Sequence, residues 1–152
     1  MSYCVLSKVP AIAENVLNEV EERINAADVK QFSDEDLLTL HSVFGVVLQR
    51  ALDIIEKYST FVTYCTKGKS RELIEINGEN DRCYRVFPRI NFCPCRAFKH
   101  QVLEKKTQVT CKHVLAARIQ QILGKTVNHD ISHNQYLMLV KSMFDLEEKN
   151  DG

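Results

Sequence analysis

The segment Cys93-Pro94-Cys95 is followed, after fifteen intervening residues, by Cys111-Lys112-His113. Nothing else in the chain restricts its folding as strongly. Three thiols and one imidazole, set in two pairs, are the donor set that zinc binds tetrahedrally, with sulfur at about 2.3 Å and nitrogen at about 2.0–2.1 Å. The spacing inside each pair adds a geometric condition. Strand residues two apart point to opposite faces, so Cys93 and Cys95 can share an ion only if the chain turns between them, and Pro94 favours that turn. Helix positions two apart lie about 200° round the axis. Cys111 is therefore expected just before a helix and His113 in its first turn. Four protein ligands close the shell and leave no position for a reacting water, which points to one structural Zn2+ rather than a catalytic one. Three thiolates and a neutral imidazole leave the site with a formal charge of about −1, and Arg96 and Lys112 are the adjacent cations.

Competing uses of these side chains are weaker. Thioredoxin-like redox chemistry needs Cys-x-x-Cys beside a βαβ pattern, and both are missing. A nucleobase deaminase would need His-x-Glu, a zinc protease His-Glu-x-x-His, and a nucleotide hydrolase a Walker loop; the sequence contains none of them. A Cys/His hydrolase would draw on the pair that the metal consumes. The other cysteines, Cys4, Cys65 and Cys83, read as a terminal thiol and two packing residues. His41, His129 and His133 lack paired spacing, and His100 is the one rival ligand. Catalytic residues are not expected.

With 152 residues, 45% of them hydrophobic, the chain is the size of one domain with its own core. Its apolar runs are far below the 18–20 residues that cross a bilayer, and Met1–Leu6 has no basic start or long apolar centre, so no membrane or secretion role is expected. Periodicity divides the chain. Over 1–58 the pattern is helical: Val9, Ile12, Ala13, Val16, Leu17, Val20 and Ile24 form one stripe. Ser33 with Asp34, Glu35 and Asp36 opens a second helix running to about Tyr58 across Gly45. Over 59–92, Thr60–Thr66, Glu72–Ile76 and Arg82–Phe87 alternate and are separated by turn residues, which predicts a small antiparallel β-meander. The zinc segment, 93–124, leads into a helix from Lys112 to Leu123 that stops at Gly124. In 125–152, Ser132 and Gln135 open a C-terminal helix. The fold class is α+β.

The net charge of zero conceals a segregated chain. Residues 1–58 carry −5, 59–81 carry −1, 82–125 carry +9 and 126–152 carry −3. A basic block between acidic flanks suits a polyanion on one face and a protein on another. Arg82, Arg85, Arg89, Arg96, Lys99, Lys105, Lys106, Lys112, Arg118 and Lys125 make up the block, interleaved with Tyr84, Phe87, Phe92 and Phe98. Cations on phosphates and aromatics on bases are the means of sequence-independent single-strand binding. Arg85, Arg89, Arg96, Lys99, Lys105, Lys106, Lys112 and Arg118 are the candidate nucleic-acid contacts, with Lys105-Lys106 foremost. The dense apolar face of the N-terminal helices hints at a protein partner.

Cys93-Pro-Cys95, fifteen residues, then Cys111-Lys-His113-Val-Leu-Ala116 resembles the SWIM zinc-finger signature at each of its positions, including the small Ala116 three residues after the histidine. A short chain with this motif behind a helical region is most similar to the SWIM subunits of Shu-type recombination complexes, with Cys95-Arg-Ala-Phe98 and Val102-Leu103 as local support. The resemblance implies a non-enzymatic nuclear adaptor in a hetero-oligomer. Its partner would be a RecA-like recombinase paralogue, and the pair would support recombinase filaments on single-stranded DNA. SWIM segments in transposases and chromatin factors supply the alternative.

Overall fold

The computed structural model describes the backbone of residues 2–57, 60–78 and 83–150, with side chains over 10–57, 60–78 and 83–144. The side chain of Cys4, and Tyr58 and Arg82 altogether, lie outside the described residues. Helix α1 (Ser2–Ala26) turns its stripe of Ala13, Leu17, Val20 and Ile24 into the core. Helix α2 (Asp34–Phe44) starts at Ser33, whose hydroxyl accepts from the Asp36 backbone N–H while the Asp36 carboxylate accepts from the Ser33 N–H, both at 3.1 Å. This capping box satisfies two donors that a helix start otherwise leaves unpaired.

The long second helix expected from Ser33 to Tyr58 is instead two helices. Gly45 adopts φ 59°, ψ −135°, and the chain turns by 120° into α3 (Val46–Lys57). The apolar pattern runs unbroken through this point, so periodicity alone cannot find the bend; glycine's access to positive φ makes it possible. Among the described residues, no single helix is long and apolar enough to cross a membrane.

The sheet contains the expected three-stranded meander and adds a fourth strand to it. Strands β1 (Thr60–Thr66), β2 (Glu72–Asn77) and β3 (Cys83–Val86) are antiparallel neighbours, with Phe61 opposite Ile76 and Ile74 opposite Val86. Beyond them the chain forms a π-helical turn (Phe98–Glu104) and α4 (Lys112–Ile122), then returns as β4 (Val127–Ile131), parallel to β1. The order is β3-β2-β1-β4, a mixed sheet. Region 125–152 thus contains a strand as well as the predicted helix, α5 (His133–Asn150). Strand β4 is an exposed edge reading Val-Asn-His-Asp-Ile, without the apolar alternation that marks a half-buried strand. The Ser132–Gln135 capping box does open α5.

Alternation on the strands assigns the two sheet faces. Phe61, Ile74, Ile76 and Val86 face a core shared with α1, α2, α3 and α4. Leu73 and Phe87 face a smaller one with Tyr136 and Met143 of α5. Helix α4 lies between sheet and N-terminal helices and is buried from His113 to Gln120. Ala116 and Ala117, both fully buried, permit close approach from either side. The structure therefore places the second ligand pair at the start of its most buried helix, Cys111 just before it and His113 in its first turn.

Candidate metal centre

Cys93 follows the Phe87–Phe92 bridge that closes the turn after β3. Pro94 separates it from Cys95, whose sulfur accepts the Phe98 backbone N–H at 3.3 Å as the π-helical turn begins. Cys111 is the N-cap of α4, its sulfur accepting the Val114 N–H at 3.5 Å. His113 is the second residue of that helix. The four ligand atoms lie within 4.8 Å of one another, and Cys93 Sγ is 3.9 Å from His113 Nδ1. A zinc tetrahedron with ordinary bond lengths has edges of about 3.5–3.8 Å. The set needs to contract by no more than about 1 Å along its longest edge. Cys93, Cys111 and His113 are buried and Cys95 half-buried. By donor type, number, proximity and burial, these residues fit one zinc ion in a closed structural site.

Two peptide N–H groups already point at sulfurs, the arrangement that stabilises thiolates. Left to themselves, the thiols share protons unequally. Hydrogen bonds from Cys111 and Cys93 hold Cys95 far below the usual thiol range, while bonds to Cys111 and Cys95, with burial, drive Cys93 far above it. Cys111 is pushed up to about 12: its bond to Cys93 lowers it, but the bond to Cys95, burial and the neighbouring thiolate outweigh that. Cys93 and Cys111 are held toward the protonated form, and thiol protons leave when a cation enters.

Residues around the ligands were not legible as site residues in the sequence. The Tyr84 ring stacks on the His113 imidazole, centroids 4.2 Å apart and planes 24° from parallel. Asn91 donates from Nδ2 to the Val109 carbonyl at 2.9 Å, and Thr110 Oγ1 donates to Asn91 Oδ1 at 2.6 Å. In the sequence Tyr84 is one aromatic among cations, and Asn91 carries no motif. His100 pairs with Glu104 at 3.0 Å on the surface and is not part of the cluster.

The candidate nucleic-acid residues separate into two groups. Arg96, Lys99, Lys105, Lys106 and Lys112 are exposed in and beside the segment joining the ligand pairs. Arg85, Arg89 and Arg118 are engaged within the protein. Arg85 pairs with Glu75 opposite it on β2 at 2.9 Å and donates to Ser142 of α5. Arg89, though exposed, pairs with Glu72 at 3.1 Å and Glu21 at 3.7 Å. Arg118 is 1% exposed and binds Glu21 at 2.6 Å and Asn18 at 3.0 Å, joining α4 to α1. In sequence it is one more cation in a basic block. The structure makes it an interior tie, out of reach of a phosphate.

Comparison with known proteins extends the motif to most of the chain. The protein is 30% identical over 129 residues to Zinc finger SWIM domain-containing protein 7 of Danio rerio, covering 85% of this chain and 89% of the relative. To the protein of that name from Homo sapiens it is 28% identical over 127 residues, covering 84% and 88%. To the Dictyostelium discoideum homolog it is 24% identical over 117 residues, covering 77% and 74%. No protein-family profile matches the chain, and no solved structure does.

Proposed function

Since the chain belongs to the zinc finger SWIM domain-containing protein 7 family, we propose that it is a non-catalytic adaptor of the nucleus. It pairs with a RecA-like recombinase paralogue in a hetero-oligomer, and the assembly supports recombinase filaments on single-stranded DNA during homologous recombination. The observation that carries this reading is the union of a closed donor set with exposed cations. Cys93, Cys95, Cys111 and His113 leave zinc no open position for chemistry, while Arg96, Lys99, Lys105, Lys106 and Lys112 stay at the surface around it. Zinc supplies cross-linking here. Cys93, Cys95, Cys111 and His113 would hold the ion between the end of the sheet and the start of α4, with the basic segment presented between the pairs.

The test is charge reversal. The Lys105→Glu/Lys106→Glu variant is expected to weaken single-stranded DNA binding by the purified complex, and to flatten its dependence on salt by roughly 0.7 log units per lost phosphate contact, with the subunits still associated. Unchanged affinity and salt slope would overturn the DNA role. Purification of the tagged chain under reducing conditions is expected to bring a RecA-like companion. Hydrolytic turnover by the isolated chain would contradict the adaptor reading.

A further inference from the structure

The two ligand pairs are held together by more than the ligands. Asn91 lies two residues before Cys93, and Thr110 is the residue before Cys111. The Asn91 side chain spans the gap: its amide donates to the Val109 carbonyl at 2.9 Å, and its carbonyl oxygen accepts from the Thr110 hydroxyl at 2.6 Å. Thr110 is buried and Asn91 half-buried, so both bonds are partly shielded from water. Asn91 also has φ 53°, in the left-handed region that asparagine tolerates better than most residues other than glycine.

We propose that Asn91 is the positioning residue of the metal centre, a polar clasp that sets Cys93-Cys95 against Cys111-His113 before the ion arrives. This inference rests on the zinc reading of the site and goes beyond it by assigning a role to a residue that touches no metal. The ligand pairs are separated by fifteen residues, so bringing them together costs loop-closure entropy. The bonds from Asn91 to Val109 and Thr110 close that loop next to the ligands and do so independently of the metal. The ion then binds four donors already near their places rather than gathering them. The left-handed backbone at position 91 is where the chain leaves the Pro88–Asn91 turn, so one residue both aims the chain toward the site and fastens it there.

The experiment is zinc affinity of the full chain by competition with a chromophoric chelator, with cobalt substitution to report the ligand set. Asn91→Gly keeps the left-handed backbone accessible and removes only the clasp. It is expected to weaken zinc about 10–100-fold, the effect usual for outer partners of metal ligands. The cobalt spectrum is expected to stay that of a three-sulfur, one-nitrogen tetrahedron. Thr110→Val keeps Asn91 and the chain's shape, and is expected to lose part of that affinity; the double variant is expected to be no weaker than Asn91→Gly alone. Wild-type affinity in Asn91→Gly, or losses that multiply independently in the double variant, would overturn the clasp while leaving the zinc site standing. A wild-type chain that takes up no zinc would overturn both.

Discussion

Arginine 118 shows how one residue type can carry opposite roles in a single charge block. Its guanidinium is buried against Glu21 and Asn18, and removing one partner of a buried pair leaves the other uncompensated. Arg118→Ala is expected to destabilise the fold by about 2–4 kcal/mol, measured by denaturant unfolding, with the salt dependence of DNA binding intact. A stable variant with a flattened salt slope would return Arg118 to the surface patch. The thiols give a second prediction. Cys93 and Cys111 hold their protons well above neutrality, so both must be displaced when zinc binds. Apparent affinity should therefore rise with pH, by up to about 100-fold per unit between pH 6 and 8 for two protons released. A pH-independent affinity in chelator competition would mean that these thiols are not ligands. The ligands themselves were legible because donor chemistry and spacing are local properties. The partners of Arg118, Arg85 and Asn91 were not, since each is set by contacts between distant segments.

Among the elements, the bend at Gly45 and the cap at Ser33 are the most exposed to test. A Cβ at position 45 would meet nothing within 4 Å, so the penalty for Gly45→Ala is conformational and falls on the positive φ alone. It is expected to outweigh the roughly 0.4–1 kcal/mol that Gly→Ala gains where the backbone is compatible, and is read as a drop in unfolding free energy. An unchanged value would show that α2 and α3 can join without a left-handed residue. The cap was predictable because Ser33 and Asp36 lie three apart on one turn. The bend was not, since apolar periodicity continues through it. Strand β4 escaped for a different reason: hydrogen bonds to β1 hold it, and its largely exposed residues leave no hydrophobic alternation to read.

At the level of the whole molecule, zinc and α4 do related work. The ligands lie where the turn after β3 meets the start of α4, and that helix is buried between the sheet and α1, α2 and α3. Loss of the ion should therefore loosen the packing of α4 as well as the zinc segment, because structural zinc binding energy is also folding energy. The α+β character and the order of helices, strands and helices could be read from changes of period along the chain. The layered arrangement, with α5 on one face of the sheet and α4 on the other, depends on strand register. The organisation of the molecule depends on both pairs holding the same ion. Metal content of the reduced 152-residue chain, measured beside Cys93→Ser and Cys111→Ser, decides it: one zinc per chain in the wild type and none in either variant is the expected result, and a full zinc complement in either variant would contradict it.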